Sequence, residues 1–94
     1  MIASFKSRPL KRFWERGDVR RLPSQFVVKI ALVLDALDAA TEPNDLNLPG
    51  FRFHPLKGSR RGQYAITVTH NWRITLRWHN GDAVDVDLVD YHGE

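Results

Sequence analysis

The 94-residue chain has no cysteine. That excludes a disulfide scaffold, a thiol nucleophile and any thiolate-held zinc or iron–sulfur centre. It has no apolar run near the ~18–20 residues of a membrane span, and no apolar stretch follows the early cations Lys6, Arg8, Lys11 and Arg12. Neither a span nor a signal peptide is expected, so the expected compartment is the cytoplasm and no membrane partner is expected. Repeats and low-complexity segments are missing, and so is the G-x-x-x-x-G-K spacing of a phosphate-binding loop. The four histidines show no H-x-H or H-x-x-x-H spacing, so no metal site is expected. His70 and His79 fall near opposite ends of one predicted strand, ~30 Å apart at ~3.3 Å per residue. The length is too short for a two-domain cofactor enzyme, and no cofactor is expected. What is present suits one small domain over residues 1–94, since 43% of the residues are apolar and 11% aromatic.

Charge is segregated rather than large. The net value is +3, but residues 1–34 carry +6 and residues 51–78 carry +6 with no acid at all. Residues 35–50 carry −4 and residues 79–94 carry −5, both without a base. A fold that keeps these blocks apart presents a strong local field despite the modest total, and an anionic partner such as nucleic acid is the natural inference. Blocks that neutralise one another across the fold are the alternative. The acids Asp35, Asp38, Glu42 and Asp45 sit at the C-terminal end of a predicted helix and just beyond it. The helix dipole disfavours acids there, so they are expected to face a basic partner or the chain's own basic surface.

Two helices and a sheet are legible. Residues 2–5 suit a short strand. Ser7 can cap a helix over residues 8–16, with Pro9 in its first turn and Gly17 just past its end. Leu10, Phe13 and Trp14 share one face of it. Pro23 opens a second helix to about Ala40, with an apolar stripe of Phe26, Ile30, Val33, Leu34 and Leu37. Residues 41–50 read as a loop. From residue 64 the apolar period becomes two, giving three antiparallel strands. A two-residue Asn80-Gly81 turn would set Trp78 opposite Ala83 and Leu76 opposite Asp85. A three-residue loop over 80–82 sets Trp78 opposite Val84, Leu76 opposite Val86 and Ile74 opposite Leu88, which keeps the even positions apolar and is preferred. The same parity sets Val68 opposite Trp72. The expected fold is α+β, with two N-terminal helices packed on one face of a C-terminal antiparallel sheet.

The uncovered odd face then carries Arg73, Thr75 and Arg77, flanked by Thr67, Asp85, Asp87 and Val89. Arg77 is expected to pair with Asp85, directly opposite. Arg73 faces Val89 and lies diagonal to Tyr91, which leaves it for function. Asp90 and His92 share that sheet end, as does His70, a weaker candidate. The run from Phe53 to Gly62 sets His54, Lys57, Arg60 and Arg61 in a glycine-hinged loop. Such a loop is suited either to following the phosphates of single-stranded nucleic acid or simply to keeping the surface soluble.

Phe53-His54-Pro55-Leu56-Lys57-Gly58, Gly62-Gln63-Tyr64-Ala65-Ile66, Asn71-Trp72-Arg73-Ile74 and Val89-Asp90-Tyr91-His92 together resemble the HigB branch of the RelE/ParE toxin superfamily. The opening Met1-Ile2-Ala3-Ser4-Phe5-Lys6 resembles it too. The resemblance implies a RelE-like fold and a toxin of a type II toxin–antitoxin pair that cuts messenger RNA in the ribosomal A site without metal. The partner it implies is a HigA-like antitoxin with a helix-turn-helix domain. It places His54, Lys57, Arg73, Asp90, Tyr91 and His92 in the active site. His54 and His92 would serve as base and acid, in either order. Arg73 would meet the phosphate, Tyr91 would stack a splayed base, and Asp90 would orient a histidine. Lys57, Arg60, Arg61 and Arg77 are the expected RNA-binding set. The alternative within the superfamily is a ParE-like inhibitor of DNA gyrase, a binder with no need of proton-transfer groups. A plain nucleic-acid-binding module would rest on charge alone.

Overall fold

The computed structural model describes residues 1–91. Helix α1 spans Arg8–Arg16 and α2 spans Val27–Ala39. A four-stranded antiparallel sheet follows in the order β1 (His54–Pro55), β2 (Gln63–Thr67), β3 (Trp72–His79) and β4 (Asp82–Asp90).

Local chemistry explains where the helices begin and end. The Ser7 hydroxyl accepts the Leu10 N–H at 3.2 Å at the start of α1. Gly17 closes it in the left-handed region at φ 69°, where a side chain would be strained. A single 3-10 turn, Ser24–Phe26, leads from Pro23 into α2. Two of the acids at the end of α2 and beyond it, Asp38 and Asp45, accept from backbone amides rather than from basic side chains. Asp38 accepts the Ile2 N–H at 3.1 Å. Asp45 accepts the N–H groups of Thr41 and Glu42 at 3.0 and 3.2 Å and forms a reciprocal cap with Glu42 around the 3-10 turn Pro43–Leu46. These donors stabilise the carboxylate and hold the Asp45 carboxyl below its ordinary value.

One face of the sheet is dry. Ile66, Ile74, Leu76, Ala83 and Val86 join Leu10 of α1 and Ile30, Val33, Leu34 and Leu37 of α2 in a single core. The even-numbered stripe therefore does meet the helices, and burying it supplies most of the drive to fold. Residues 2–5 form only two isolated bridges beside β4, Ile2 with Ala83 and Phe5 with Val86, both parallel. They extend the sheet past β4 without making a regular strand.

The β3–β4 hairpin departs from the expected register at its tip. Ile74 pairs with Leu88 and Arg73 with Val89 as expected, but Trp78 pairs with Ala83 and Arg77 with Val84. The turn is the two-residue Asn80-Gly81, both at positive φ (52° and 83°), the conformation that matches strand twist. The ladder shifts between Thr75 and Arg77, and Asp85 sits there at φ 53°. This bulge absorbs the residue that the tight turn leaves over. Turn chemistry and core parity are both satisfied, and Ala83 takes the core position expected of Val84.

Candidate active site and adjoining cleft

The open face of the sheet is built in transverse rows, because directly opposed residues project to the same side. One row runs Thr67, Arg73, Val89. The next runs His54, Ala65, Thr75, Asp87. The sequence pattern places β1 in a loop, whereas the fold makes it a two-residue edge strand. It is held by the Leu56 N–H to the Gln63 carbonyl at 2.8 Å and by the stack of Phe53 on Tyr64 at 5.1 Å. Pairing through β2 puts His54 on the same face as Arg73. Two strand spacings across and one step of two residues along separate their backbones by roughly 12 Å. Two side chains of that reach can flank one phosphodiester.

His54 is exposed, and its Nδ1 lies 2.7 Å from the Arg52 carbonyl oxygen. A carbonyl only accepts, so the neutral ring carries its proton on Nδ1 and its lone pair on Nε2. Arg52 holds that carbonyl in place from a left-handed backbone conformation, φ 47°.

Arg73 has two engagements. Its Nη1 donates to the carbonyls of Thr69, His70 (2.9 Å) and Trp72 (3.3 Å), bracing the loop between β2 and β3. Its guanidinium carbon also lies 5.2 Å from the centre of the Tyr91 ring. Among the described residues no acceptor meets its Nε or Nη2. The Arg60 guanidinium approaches the same ring at 5.7 Å and its Nη1 reaches the Tyr91 hydroxyl at 3.5 Å. Tyr91 is itself anchored, its N–H donating to the Asn71 carbonyl at 2.6 Å. The ring thus gathers two guanidinium groups, an arrangement that the electron-rich face of an aromatic ring favours.

The remaining candidates divide. Lys57 and Arg61 flank the 3-10 turn Gly58–Arg60 and are exposed, whereas Arg60 turns inward and is half-buried. Arg77 makes no ion pair among the described residues, so the expected pairing with Asp85 does not form. The bulge sets Val84 opposite it instead. Arg77 lies over Gly62, where an added Cβ would come within 2.8 Å of its Nη1. The register sets Asp90 opposite Trp72, on the other side of β4 from Arg73 and Val89. His92 lies outside the described residues. His70 and His79 are exposed at the two ends of β3, and His79 contacts Asn80 at 3.2 Å. Among the described residues no group of three or more histidines and carboxylates is placed to hold a metal ion. Among them, too, no helix is long and apolar enough to cross a membrane.

A cleft of ≈ 400 Å³ adjoins the Arg60–Tyr91–Arg73 cluster. Its lining includes Arg60, Arg77, Gln63 and Thr75 from the sheet and the turn beside it, and Lys6 from the N-terminal segment. Neither charge pattern nor motif spacing singles out Lys6 or Gln63 as a residue of the site. Lys6 reaches the cleft only because residues 2–5 run beside β4.

A family model described as the RelE-like toxin of the type II toxin–antitoxin system HigB matches residues 3–92. An "Endoribonuclease HigB" of Proteus vulgaris is 47% identical over 92 residues, covering 98% of this chain and 100% of that protein. A "Toxin HigB-1" of Vibrio cholerae serotype O1 (strain ATCC 39315 / El Tor Inaba N16961) is 34% identical over 90 residues, covering 94% and 95% of the two chains.

Proposed function

The chain belongs to the RelE-like HigB toxins of type II toxin–antitoxin systems, and from that premise we propose that it is an endoribonuclease cutting messenger RNA at the ribosome by acid–base chemistry. The observation that carries the proposal is the gathering of Arg60 and Arg73 on Tyr91, on the face that also presents His54.

In the reaction, His54 Nε2 takes the proton of a ribose 2′-hydroxyl. The 2′-oxygen attacks the adjacent phosphorus, and the bond from phosphorus to the 5′-oxygen breaks. The products are a 2′,3′-cyclic phosphate and a 5′-hydroxyl. The hydrogen bond from Nδ1 to the Arg52 carbonyl supports His54 as the base. It fixes the tautomer and stabilises the imidazolium that forms. The Nε–Nη2 edge of Arg73 meets the phosphate oxygens as negative charge grows on them. The planar fork matches that geometry in a way lysine does not. Arg60 adds a second cation to the same phosphate. Tyr91 positions both guanidiniums, and a base stacks on it only where one of them gives way. The acid that protonates the leaving oxygen is His92, by resemblance, with Asp90 beside it in sequence. Lys57, Arg61 and Arg77 hold flanking phosphates.

A type II toxin has an antitoxin, and a HigA-like protein with a helix-turn-helix domain is the proposed partner. The proposed compartment is the cytoplasm, where translating ribosomes are. The gyrase alternative draws nothing from the named relatives, and the tautomer-fixed histidine has no task in a binder. Primer extension on a translated messenger, with and without the purified protein, tests the proposal. Discrete stops inside codons are expected. Translation arrest without new 5′ ends, or inhibition of DNA gyrase in its place, would overturn it.

A further inference from the structure

We propose that the cleft beside the Arg60–Tyr91–Arg73 cluster is a nucleobase-reading pocket that accepts a base bearing an exocyclic amine and discriminates against uracil. The proposal rests on the endoribonuclease reading for its biological setting, and its test separates the two.

The cleft is chemically mixed in a way that phosphate binding does not explain. Asp85 and Asp87 line it together with Lys6, Arg60 and Arg77. Carboxylates repel phosphate, so a groove serving only the RNA backbone has no use for them. None of these five side chains forms an ion pair within 4.0 Å among the described residues, so the carboxylates are not bonded to the cations beside them. Asp87 accepts the neighbouring Leu88 N–H at 3.0 Å and keeps its other oxygen. Asp85 is aimed by the bulge, and its backbone N–H is pinned by the Ser4 hydroxyl at 2.9 Å.

The floor points the same way independently. Thr75 is 3% exposed, lines the cleft, and its hydroxyl has no hydrogen-bond partner among the described residues. A hydroxyl so placed is normally satisfied. Among the described residues no buried side-chain oxygen is sealed off without a partner, so this one opens into the cleft and is available to a ligand. Thr75 stands directly opposite Asp87, which sets a hydroxyl and a carboxylate side by side at the depth of the pocket.

This donor and acceptor set selects a ligand. A carboxylate accepts from amino groups, and the pairing of an acid with the cytosine amine is the familiar case. Adenine and guanine also carry an exocyclic amine, whereas uracil sets a carbonyl oxygen where cytosine holds its amine. The cations that line the cleft then meet the nucleotide's phosphate. Arg60 belongs both to the cleft and to the Tyr91 cluster, so a base seated here is a near neighbour of the scissile phosphate.

Two measurements test the pocket with the full chain. Amide shifts of the labelled protein are followed on titration with AMP, CMP, GMP and UMP at millimolar concentration. Thr75, Asp87 and Gln63 are expected to move with the three amine-bearing nucleotides and not with UMP. In Asp87→Asn, whose amide can donate as well as accept, UMP is expected to move them too. The second measurement is the cleavage map on a translated messenger. Wild type is expected to disfavour uracil at one fixed position relative to the cut, and Asp87→Asn to relax that preference by roughly 5- to 150-fold. Asp87→Asn is isosteric and retains the Leu88 contact. Its amide spectrum reports whether it is folded, and Asp85→Asn replaces it if it is not. Shifts that are absent with every nucleotide, or equal with all four, would overturn the pocket. So would an unchanged cleavage map in the folded variant. A wild type that cuts nothing while the nucleotide titration behaves as expected would overturn the nuclease reading and leave the pocket standing.

Discussion

The two faces of one sheet obey opposite rules. On the covered face, Ile66, Ile74, Leu76 and Val86 are sealed against α1 and α2, and shape decides what fits. On the open face, one or two residues away along the same strands, Arg73, Arg77, Asp85 and Asp87 remain without a full set of protein partners among the described residues. A side chain there is kept for what it meets from outside. Alternation along a strand is thus what lets a chain this small hold a core and a site on the same backbone, with only a peptide plane between them.

The largest effect expected is on the covered face. Ile74→Ala should lower the unfolding free energy by ~2–5 kcal/mol, read by urea denaturation, because it leaves a cavity in a fully buried layer. Arg77→Ala, three positions further along the strand, should cost no more than ~0.5 kcal/mol. Equal losses would erase the distinction between the faces.

Arg73 tests where the distinction blurs, because it braces a loop and has an Nε–Nη2 edge that meets no acceptor among the described residues. Arg73→Ala should lower single-turnover cleavage by ~10²–10³-fold. It should also lower stability by ~1–2 kcal/mol through the lost bonds to the loop carbonyls. Cleavage preserved beside that stability loss would leave Arg73 a brace and nothing more.

A finer comparison lies within one turn. Arg61→Ala should reduce the salt dependence of RNA or ribosome association by a slope of about one and leave the saturating rate nearly unchanged. Arg60→Ala should lower the saturating rate as well, since it alone of the two reaches Tyr91. Identical behaviour of the two variants would remove Arg60 from the site.

The smallest effect belongs to a region outside both faces. Backbone donors hold the Asp45 carboxyl below the ordinary value of 3.8. Its contribution to stability is therefore fully present above 3.8 and is lost as pH falls through the lowered folded value. In Asp45→Asn, the acid limb of a melting-temperature profile should be shallower than in the wild type. An unchanged limb would show that the cap does not matter to the fold.

Much of this is legible in the amino-acid sequence. Ser7 and Gly17 bound α1 because capping is local chemistry, and the even stripe of β3 names the core because period two is local geometry. The pairing of Arg73 with Val89 and its nearness to Tyr91 follow from the same parity. What escapes depends on distant partners. His54-Pro55 is too short to show a period, and only Tyr64 and Ala65 make it a strand. The Asp85 bulge arises from two local preferences in conflict, a tight turn and a core stripe, and the sequence alone offers no means of seeing that both can be met. Among the candidate residues, the inward turn of Arg60 against the outward Arg61 has no signature in a run of two arginines. Lys6 joins the cleft through its neighbours' bridges to β4, a contact spanning most of the chain.

The bulge also means that the β3–β4 hairpin carries one residue more than its pairing requires. Removing Asp85 would leave Val84 opposite Arg77 and Asp87 opposite Thr75, with the ladder continuous between them. Loss of a residue from a central hairpin ordinarily throws every later side chain onto the wrong face. Here it would relieve a left-handed backbone and leave the core stripe in place. The hairpin can therefore shed a residue from the rim of its cleft without being rebuilt, so that the surface of this toxin is open to change by deletion at a point where most sheets are closed to it.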